Sequence, residues 1–527
     1  MDPWAAGRSC ARGRAAEADS LRLGHFAWVM SSGKQDFVSI NSAQYGSTAR
    51  LSVPEDRVSR KEQLKELAGL AVPIIITFLL EFFPSVTSTL LVGRLHGKNP
   101  LDATSLATMF INITAVALGL GLAMALDVLC PQAVGQKDNR ALSLAFQRGC
   151  IVLTAAFVPI LGLNLFAGEI LAALGQPADV SAMAGEYTRL AIIGIPFLYL
   201  YELLKKVLQA RQILEPMLIF AVITNVLHGV LAYVLVMHTS LGFRGAAVSR
   251  SVTNSLLPVM LLAFMARREN ARNWWTGWSS EAFQGLPKFV GLSLATMCML
   301  AFEMWAFEAV TIMAGNLPHA RTTIGAHAIL INITTITFNF YLGTQVAANI
   351  LIGTLLSKAQ PYHARSMAQV SVVFGMAIAS VFAAGIFLLR FEIPKWYTLD
   401  VDVRRAAEPA LPILALYQVC DAFNQISSAI FKGTGKTAMG AGANFLAYYI
   451  VGLPAAGILA FTLHRGLLGI WWGLCAGLGV AGLLIIVLLT TAVDWMRSAE
   501  EARVRGRADS WTVNNNELDR ALLADGA

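Results

Sequence analysis

The chain has 527 residues, 56% of them apolar and only 14% charged, and its mean hydropathy is +0.59, so a soluble fold with a single buried core is excluded. A net charge of +7 does not point to nucleic acid, because the lysines and arginines sit in short loops and tails between apolar runs. Six widely separated cysteines with no C-x-x-C spacing point to free thiols and to no structural metal.

In chain order, residues 1–60 are polar and rich in Ala, Arg, Ser and Gly, and read as a disordered cytoplasmic tail. Apolar runs punctuated by Gly, Pro and charge then predict membrane helices near 67–92, 104–130, 142–166, 184–206, 215–237 and 245–266. A segment at 269–287, with Trp274, Trp275 and Trp278, reads as an interfacial amphipathic linker. Six more helices are predicted near 288–314, 325–353, 366–389, 409–431, 437–463 and 467–493. Residues 496–527, with Arg497, Arg503, Arg505 and Arg507, read as a second cytoplasmic tail.

The fold class is therefore an all-α polytopic membrane protein of twelve transmembrane helices, with one lobe at 61–268 and another at 288–495. Lys and Arg favour the loops on the side of both termini, which should be cytoplasmic. The halves repeat: Gly69 matches Gly291, Glu81 matches Glu303 and Gly93 matches Gly315, each 222 residues apart. Ile111-Asn112-Ile113-Thr114 recurs as Ile331-Asn332-Ile333-Thr334, and Pro196 and Tyr201 are echoed by Pro412 and Tyr417. Six helices is an even number, so both lobes enter the membrane from one side, related by a pseudo-twofold axis along the membrane normal. Such a pair of lobes suits alternating access better than a fixed pore.

A carboxylate inside a span costs a few kcal/mol and usually faces a cavity with a task. Glu81, Asp127, Glu303, Glu308 and Asp421 are such acids. Glu303 and Glu308 lie five residues apart, about 140° around a helix, so they cannot serve one ligand from one face. Glu303 is assigned with Asp421 to the interior of the second lobe, and Glu308 to that lobe's cleft or a neighbouring helix. Glu81 precedes Pro84, whose missing N–H frees a backbone carbonyl; it is either a titratable switch or a packing contact to Asn112 or Asn225. Asp127, at a helix end within reach of water, reads as a replaceable gate latch that caps the helix or pairs with a loop Lys or Arg, with Gln132 nearby. Trp305, Phe307, Tyr448 and Tyr449 offer aromatic faces for organic cations.

Asp127-Val128-Leu129-Cys130-Pro131-Gln132-Ala133-Val134-Gly135, Glu303-Met304-Trp305-Ala306-Phe307-Glu308 and the stretch from Lys432-Gly433-Thr434-Gly435 through Asn444 and Tyr448-Tyr449 to Gly452-Leu453-Pro454 carry a resemblance. Together they resemble motifs of the multidrug and toxin extrusion (MATE) family, in particular its eukaryotic branch, over about residues 62–495. The sequence departs from that pattern with Asn332 where an acid is common, with an eroded element at 349–357, and with Asp421 where glutamate is usual. The resemblance implies antiport of small organic cations against H+ or Na+, with Glu303, Asp421 and Glu308 as coupling acids; Glu81, where most eukaryotic members lack an acid, joins them through the internal repeat that sets it opposite Glu303. Trp305, Phe307, Tyr448, Tyr449 and Asn332 would line the substrate cleft. No cofactor is expected beyond the coupling ion. The partners expected are organic cations and the bilayer, with the chain a monomer in the plasma membrane, or alternatively in a vacuolar or other organellar membrane.

Lipid-linked sugar flipping on the same architecture is the alternative, but a diphosphate cargo calls for a basic cleft, and the acids at membrane depth favour cationic cargo. A membrane enzyme is disfavoured because the eight histidines form no H-x-x-H or H-x-x-x-H pair. Gly433-Thr434-Gly435-Lys436 lacks the preceding strand and glycine of a phosphate loop, and Asn112-Ile113-Thr114 and Asn332-Ile333-Thr334 are too deep in the membrane for glycosylation.

Overall fold

The computed structural model describes residues 59–95 and 99–507. The two terminal tails expected at 1–60 and 496–527 therefore fall mostly outside the described residues, as does His96. Among the described residues the secondary structure is helical, without strands.

The first six long helices are α1 (Arg60–Val92), α2 (Asn99–Gln136), α3 (Asn139–Leu165), α4 (178–210), α5 (Glu215–Met237) and α6 (Phe243–Arg267). The second six are α7 (Leu286–Gly315), α8 (Ala320–Ser357), α9 (Pro361–Leu388), α10 (Leu411–Thr434), α11 (Thr437–Thr462) and α12 (Gly466–Thr491). Ten of these are long and apolar enough to cross a membrane. The other two are α4 and α10. A 3-10 turn at Ile192–Gly194 interrupts α4, which also carries Glu202, Lys205 and Lys206; α10 carries Asp421, Asn424, Gln425 and Lys432.

Caps set several boundaries. Ser59 and Glu62 form a capping box that starts α1, and Asp138 accepts from Ala141 N at 2.9 Å to start α3. The carbonyl that Pro84 strips of its donor belongs to Leu80, and Asn225 on α5 donates to it at 2.8 Å. The freed carbonyl is thus satisfied by a neighbouring helix rather than by Glu81.

Each half has its own apolar core. One is built from α2 to α6 with the linker, around Leu126, Tyr199 and Trp274; the other from α7 to α12, around Tyr417, Tyr448 and Trp471. Helix α1 packs on α5 of its own half and on α8 of the other, while α7 packs on α11 and α2. These contacts exchange under the repeat, α1 for α7 and α2 for α8, as a twofold relation requires. The cross-contacts are close: a Cβ on Gly343 of α8 would run into Ile75 of α1, and one on Gly121 of α2 would lie 2.6 Å from Met297 Cα of α7. A third core joins Leu67, Leu70 and Ile74 of α1 to Ile352 and Leu356 of α8.

Two features add detail to the sequence reading. The linker is largely irregular between α6 and α7. Apart from Glu269–Arg272 and a 3-10 turn at Ser280–Phe283 its residues fold back on α3, where Gln147 donates to Gly277 O at 2.7 Å and accepts from Ser279 N at 2.9 Å. Trp274 is buried against Phe146, so only Trp278 of the three tryptophans is exposed enough to act as an anchor. The second tail is not wholly disordered: Trp495–Arg505 forms a helix, α13, capped by Asp494, with Ser498, Ala499 and Ala502 buried. Its apolar face is small, and the intervening charged residues mask it in the sequence.

Candidate functional site

The repeat brings Glu81 and Glu303 to equivalent places, 11 residues before the end of α1 and 12 before the end of α7 (92 − 81 and 315 − 303). Their surroundings diverge. Extending the Tyr201/Tyr417 register, 216 residues (417 − 201), pairs Lys205 with Asp421 (205 + 216). The first lobe therefore holds an acid and a base where the second holds two acids.

In the first lobe, Glu81 accepts from Tyr201 Oη at 2.6 Å and from Lys205 Nζ at 3.0 Å. The ammonium group of Lys205 also reaches Glu202 at 2.6 Å and stands 5.0 Å over the Phe78 ring. Glu81 is thus paired with a buried lysine, which comes from a helix 124 residues away (205 − 81).

In the second lobe no ion pair reaches the two acids among the described residues, and Lys432 acts on Glu303 only from a distance. Glu303 is buried on α7, and its Oε1 accepts from Gln425 Nε2 at 2.6 Å. Asp421, on α10, is 1% exposed; its carboxylate makes no close hydrogen bond, with Gln425 within weak reach of it. The hydroxyls of Tyr417 and Tyr448 are buried within electrostatic reach of both carboxylates, with Tyr448 between Tyr417 and Glu303. Asn424 and Ser427, further along α10, add buried polar atoms without close hydrogen bonds. Buried polar groups so weakly satisfied mark a helix built to meet something that comes and goes. A polar chain from α8 backs it, with Tyr341 donating to Gln418 at 3.1 Å and Gln345 to Gln425 at 3.4 Å.

Glu308 stays out of this pair. It is half-buried on the other side of α7, with no hydrogen bond or ion pair among the described residues. Trp305 points across to the first lobe, donating to Ile113 O at 3.4 Å. Phe307 and Tyr448 turn into the second lobe instead of a cleft between lobes. Phe307 packs at 6.3 Å from Tyr417, and Tyr448 is buried beside the acids. Tyr449 stacks on Phe445 at 5.6 Å and meets Phe302 edge-on at 5.6 Å, an aromatic group of which sequence reasoning named one member. Asn332 is exposed and donates to Ala328 O on its own helix, so it takes no part in the acid site.

Asp127 pairs with lysines, as its reading as a latch implies, but in a different setting. It is buried, not water-accessible, because lysines from both lobes converge on it: Lys206 of α4 at 2.6 Å and Lys432 of α10 at 3.5 Å. Gln132 donates to Gly433 O at 3.1 Å, Asn349 to Asp127 O at 2.7 Å and Gln136 to Ser357 O. The same layer receives α13, whose Arg505 donates to Thr434 O at 2.7 Å. Inter-lobe hydrogen bonds run from this end, shared by the described chain ends and the linker, up to Trp305; among the described residues none lies beyond it. The lobes are closed together here. Asp127→Asn is expected to loosen the closure, leaving two lysines facing each other, and to speed maleimide labelling of the buried Cys130 by about tenfold, the equivalent of about 1.4 kcal/mol. Unchanged labelling would show that the latch does not hold the lobes.

Known proteins carry the same organisation. The MatE family model matches residues 73–234 and 295–458, one match in each lobe. The chain is 31% identical to Protein DETOXIFICATION 16 of Arabidopsis thaliana over 468 residues, covering 89% of this chain and 96% of that protein. It is 30% identical to Multidrug and toxin extrusion protein 1 of Danio rerio over 448 residues, covering 85% of this chain and 75% of that one. The crystal structure of the eukaryotic MATE transporter AtDTX14 superposes with a TM-score of 0.79 at 25% identity, covering 85% of this chain and 99% of the other. With matching models in both lobes and relatives along nearly its whole length, the chain is a multi-pass membrane protein that belongs to the multidrug and toxin extrusion (MATE) family.

Proposed function

We propose that this protein is a secondary active antiporter that expels small organic cations in exchange for H+ or Na+, with Glu303 and Asp421 as the ion-coupling pair. The observation that carries this is the contrast between equivalent positions: Lys205 cancels Glu81 in the first lobe, whereas Asp421 stands within electrostatic reach of Glu303 with no ion pair to either acid among the described residues. Two buried carboxylates without a lysine or arginine on them need a proton or a metal cation whenever the site is dry. An incoming organic cation competes for the same negative charge and releases that ion, which couples the two flows. The names of the relatives, multidrug and toxin extrusion, agree with such cargo. The family's duplicated lobes agree with alternating access through twelve crossings. Phe302, Phe445 and Tyr449 supply the aromatic faces for an organic cation.

The closed end, with the Asp127 latch and α13, is the cytoplasmic one in this reading, and both termini lie there. The conformation then faces away from the cytoplasm. Purified protein in sealed vesicles, loaded with a fluorescent quaternary ammonium dye, tests the proposal: an imposed pH gradient or sodium gradient should drive dye movement against its own gradient. Dye movement that ignores both gradients sinks the antiport reading.

A further inference from the structure

The side chain of Gln425 reaches both acids of the second lobe. A carboxamide carries two N–H donors on one side and an acceptor oxygen on the other. One N–H of Gln425 goes to Glu303 Oε1 at 2.6 Å, and Asp421, one turn back on α10 (425 − 421), lies within weak reach of the same amide. The oxygen is turned to α8 and accepts from Gln345 Nε2 at 3.4 Å. Beyond it, the side-chain oxygen of Gln345 is buried and has no hydrogen-bond partner. Both glutamines are 3% exposed, so bulk water satisfies neither amide. Apart from Lys432, which acts on Glu303 from a distance, the ionisable groups facing the acids are the hydroxyls of Tyr341, Tyr417 and Tyr448 and the thiol of Cys420. None of these brings a positive charge.

We infer that Gln425 is a positioning residue of the acid pair, which reverses its amide when Glu303 takes an ion and passes that change to Gln345. This rests on the coupling role proposed above for Glu303 and Asp421. An ionised carboxylate only accepts hydrogen bonds, so it takes the N–H side of Gln425, the arrangement found here. A carboxyl that has gained a proton is itself a donor, and a carboxylate that holds a sodium ion presents a hard cation. The amide oxygen is the side that fits either one. Turning the amide over sends its N–H groups to α8, where the open oxygen of Gln345 accepts them. Two glutamines in series therefore have one arrangement for the ionised acid and another for the loaded one. A lysine at the same place would lock the first, as Lys205 does for Glu81. Helix α8 carries the difference onward, because Asn349, one turn from Gln345 (349 − 345), donates to Asp127 O of the first lobe at 2.7 Å.

Dye exchange in sealed vesicles, measured against the concentration of whichever ion drives it, tests the inference with Gln425→Met and Gln345→Met, which keep side-chain length and lose the amide. Gln425→Met takes a charge-assisted donor from the ionised Glu303. The ion should then bind more tightly, and its half-maximal concentration should fall about tenfold, one pH unit for a proton. Gln345→Met takes the acceptor from the reversed amide, so the half-maximal concentration should rise roughly threefold. In the Gln425→Met background the Gln345 change should be silent, because it acts only through Gln425. Loss of packing alone would lower the melting temperature of both variants and shift the ion dependence of neither. Should Gln425→Met fail to fold, the direction of the Gln345→Met shift decides. A half-maximal concentration that fails to fall in Gln425→Met, or fails to rise in Gln345→Met, overturns the inference and leaves the coupling reading standing, provided that Glu303→Gln has lost its ion dependence. A Glu303→Gln variant that keeps the wild-type ion dependence overturns the coupling reading itself, and this inference with it.

Discussion

Glu303→Gln and Asp421→Asn are expected to insert and fold yet to lose the dependence of organic-cation transport on the pH or sodium gradient. Both substitutions keep the shape of the side chain, and both remove a charge that the bilayer and the lobe interior penalise, so the protein should be no less stable. What disappears is the competition. Without the carboxylates, neither the ion nor the organic cation is held, and an exchange of one for the other cannot be enforced. Asp421→Lys goes further, since it recreates at α10 the arrangement already present at α4, with a lysine permanently across from the acid of the preceding α7. Gradient-driven dye efflux should fall at least about a hundredfold in that variant, as expected for occupying a site with a tethered cation of local concentration far above any free ion. The measurement is efflux rate in vesicles under each gradient, normalised to protein in the membrane. If the neutral variants keep the wild-type ion dependence, coupling must lie elsewhere, with Glu308 the remaining unpaired acid of α7.

The architecture was legible in the sequence because apolar length and the internal repeat are one-dimensional signals. Spans appear as runs, and the recurrence of Ile-Asn-Ile-Thr together with the Glu81/Glu303 pair fixes which helices correspond. The acid pair was legible too, since charge inside a span stands out whatever its neighbours. What was not legible is pairing between distant helices. That Asp127 pairs with a loop lysine could be read; that its partners are Lys206 and Lys432, and that they bury it, could not, because they lie 79 and 305 residues away (206 − 127 and 432 − 127). Glu81 reads as a coupling acid because its partner Lys205 lies 124 residues away (205 − 81). One available signal was missed: carrying the 216-residue register four residues beyond Tyr201 would have set Lys205 opposite Asp421 and exposed the asymmetry. Helix α13 was hidden for another reason, since a face of Ser498, Ala499 and Ala502 looks like nothing until it meets a surface made by other helices.

The placement of these groups ties ion site to closure. Gln425, which binds Glu303, and Lys432, which reaches Asp127 in the other lobe, lie seven residues apart on α10, two turns along one face. A change in how α10 sits at Asp421 is therefore carried along a rigid helix to the latch. That gives the exchange of ions a mechanical route to the opening of the lobes without any flexible intermediary.

Lys205→Met is expected to be the most destabilising single change in the first lobe. The lysine is 2% exposed and is the shared partner of Glu81 and Glu202, at 3.0 and 2.6 Å. Breaking a buried ion pair by removing one member leaves the other uncompensated, at about 3–5 kcal/mol, and here two carboxylates lose their cation at once. The cost comes from the stranded charges and not from the lost methylene stem, because Met fills nearly the same volume and keeps the contact with the Phe78 ring. Neutralising both acids should therefore restore what the lysine change removes. The triple variant Lys205→Met, Glu81→Gln, Glu202→Gln is expected to melt close to wild type, while Lys205→Met alone melts far below it or fails to accumulate. Thermal melting of the three proteins in one detergent decides the matter. A triple variant as unstable as the single one would mean that Lys205 holds the lobe by packing, and that Glu81 is free to serve as a second coupling acid after all.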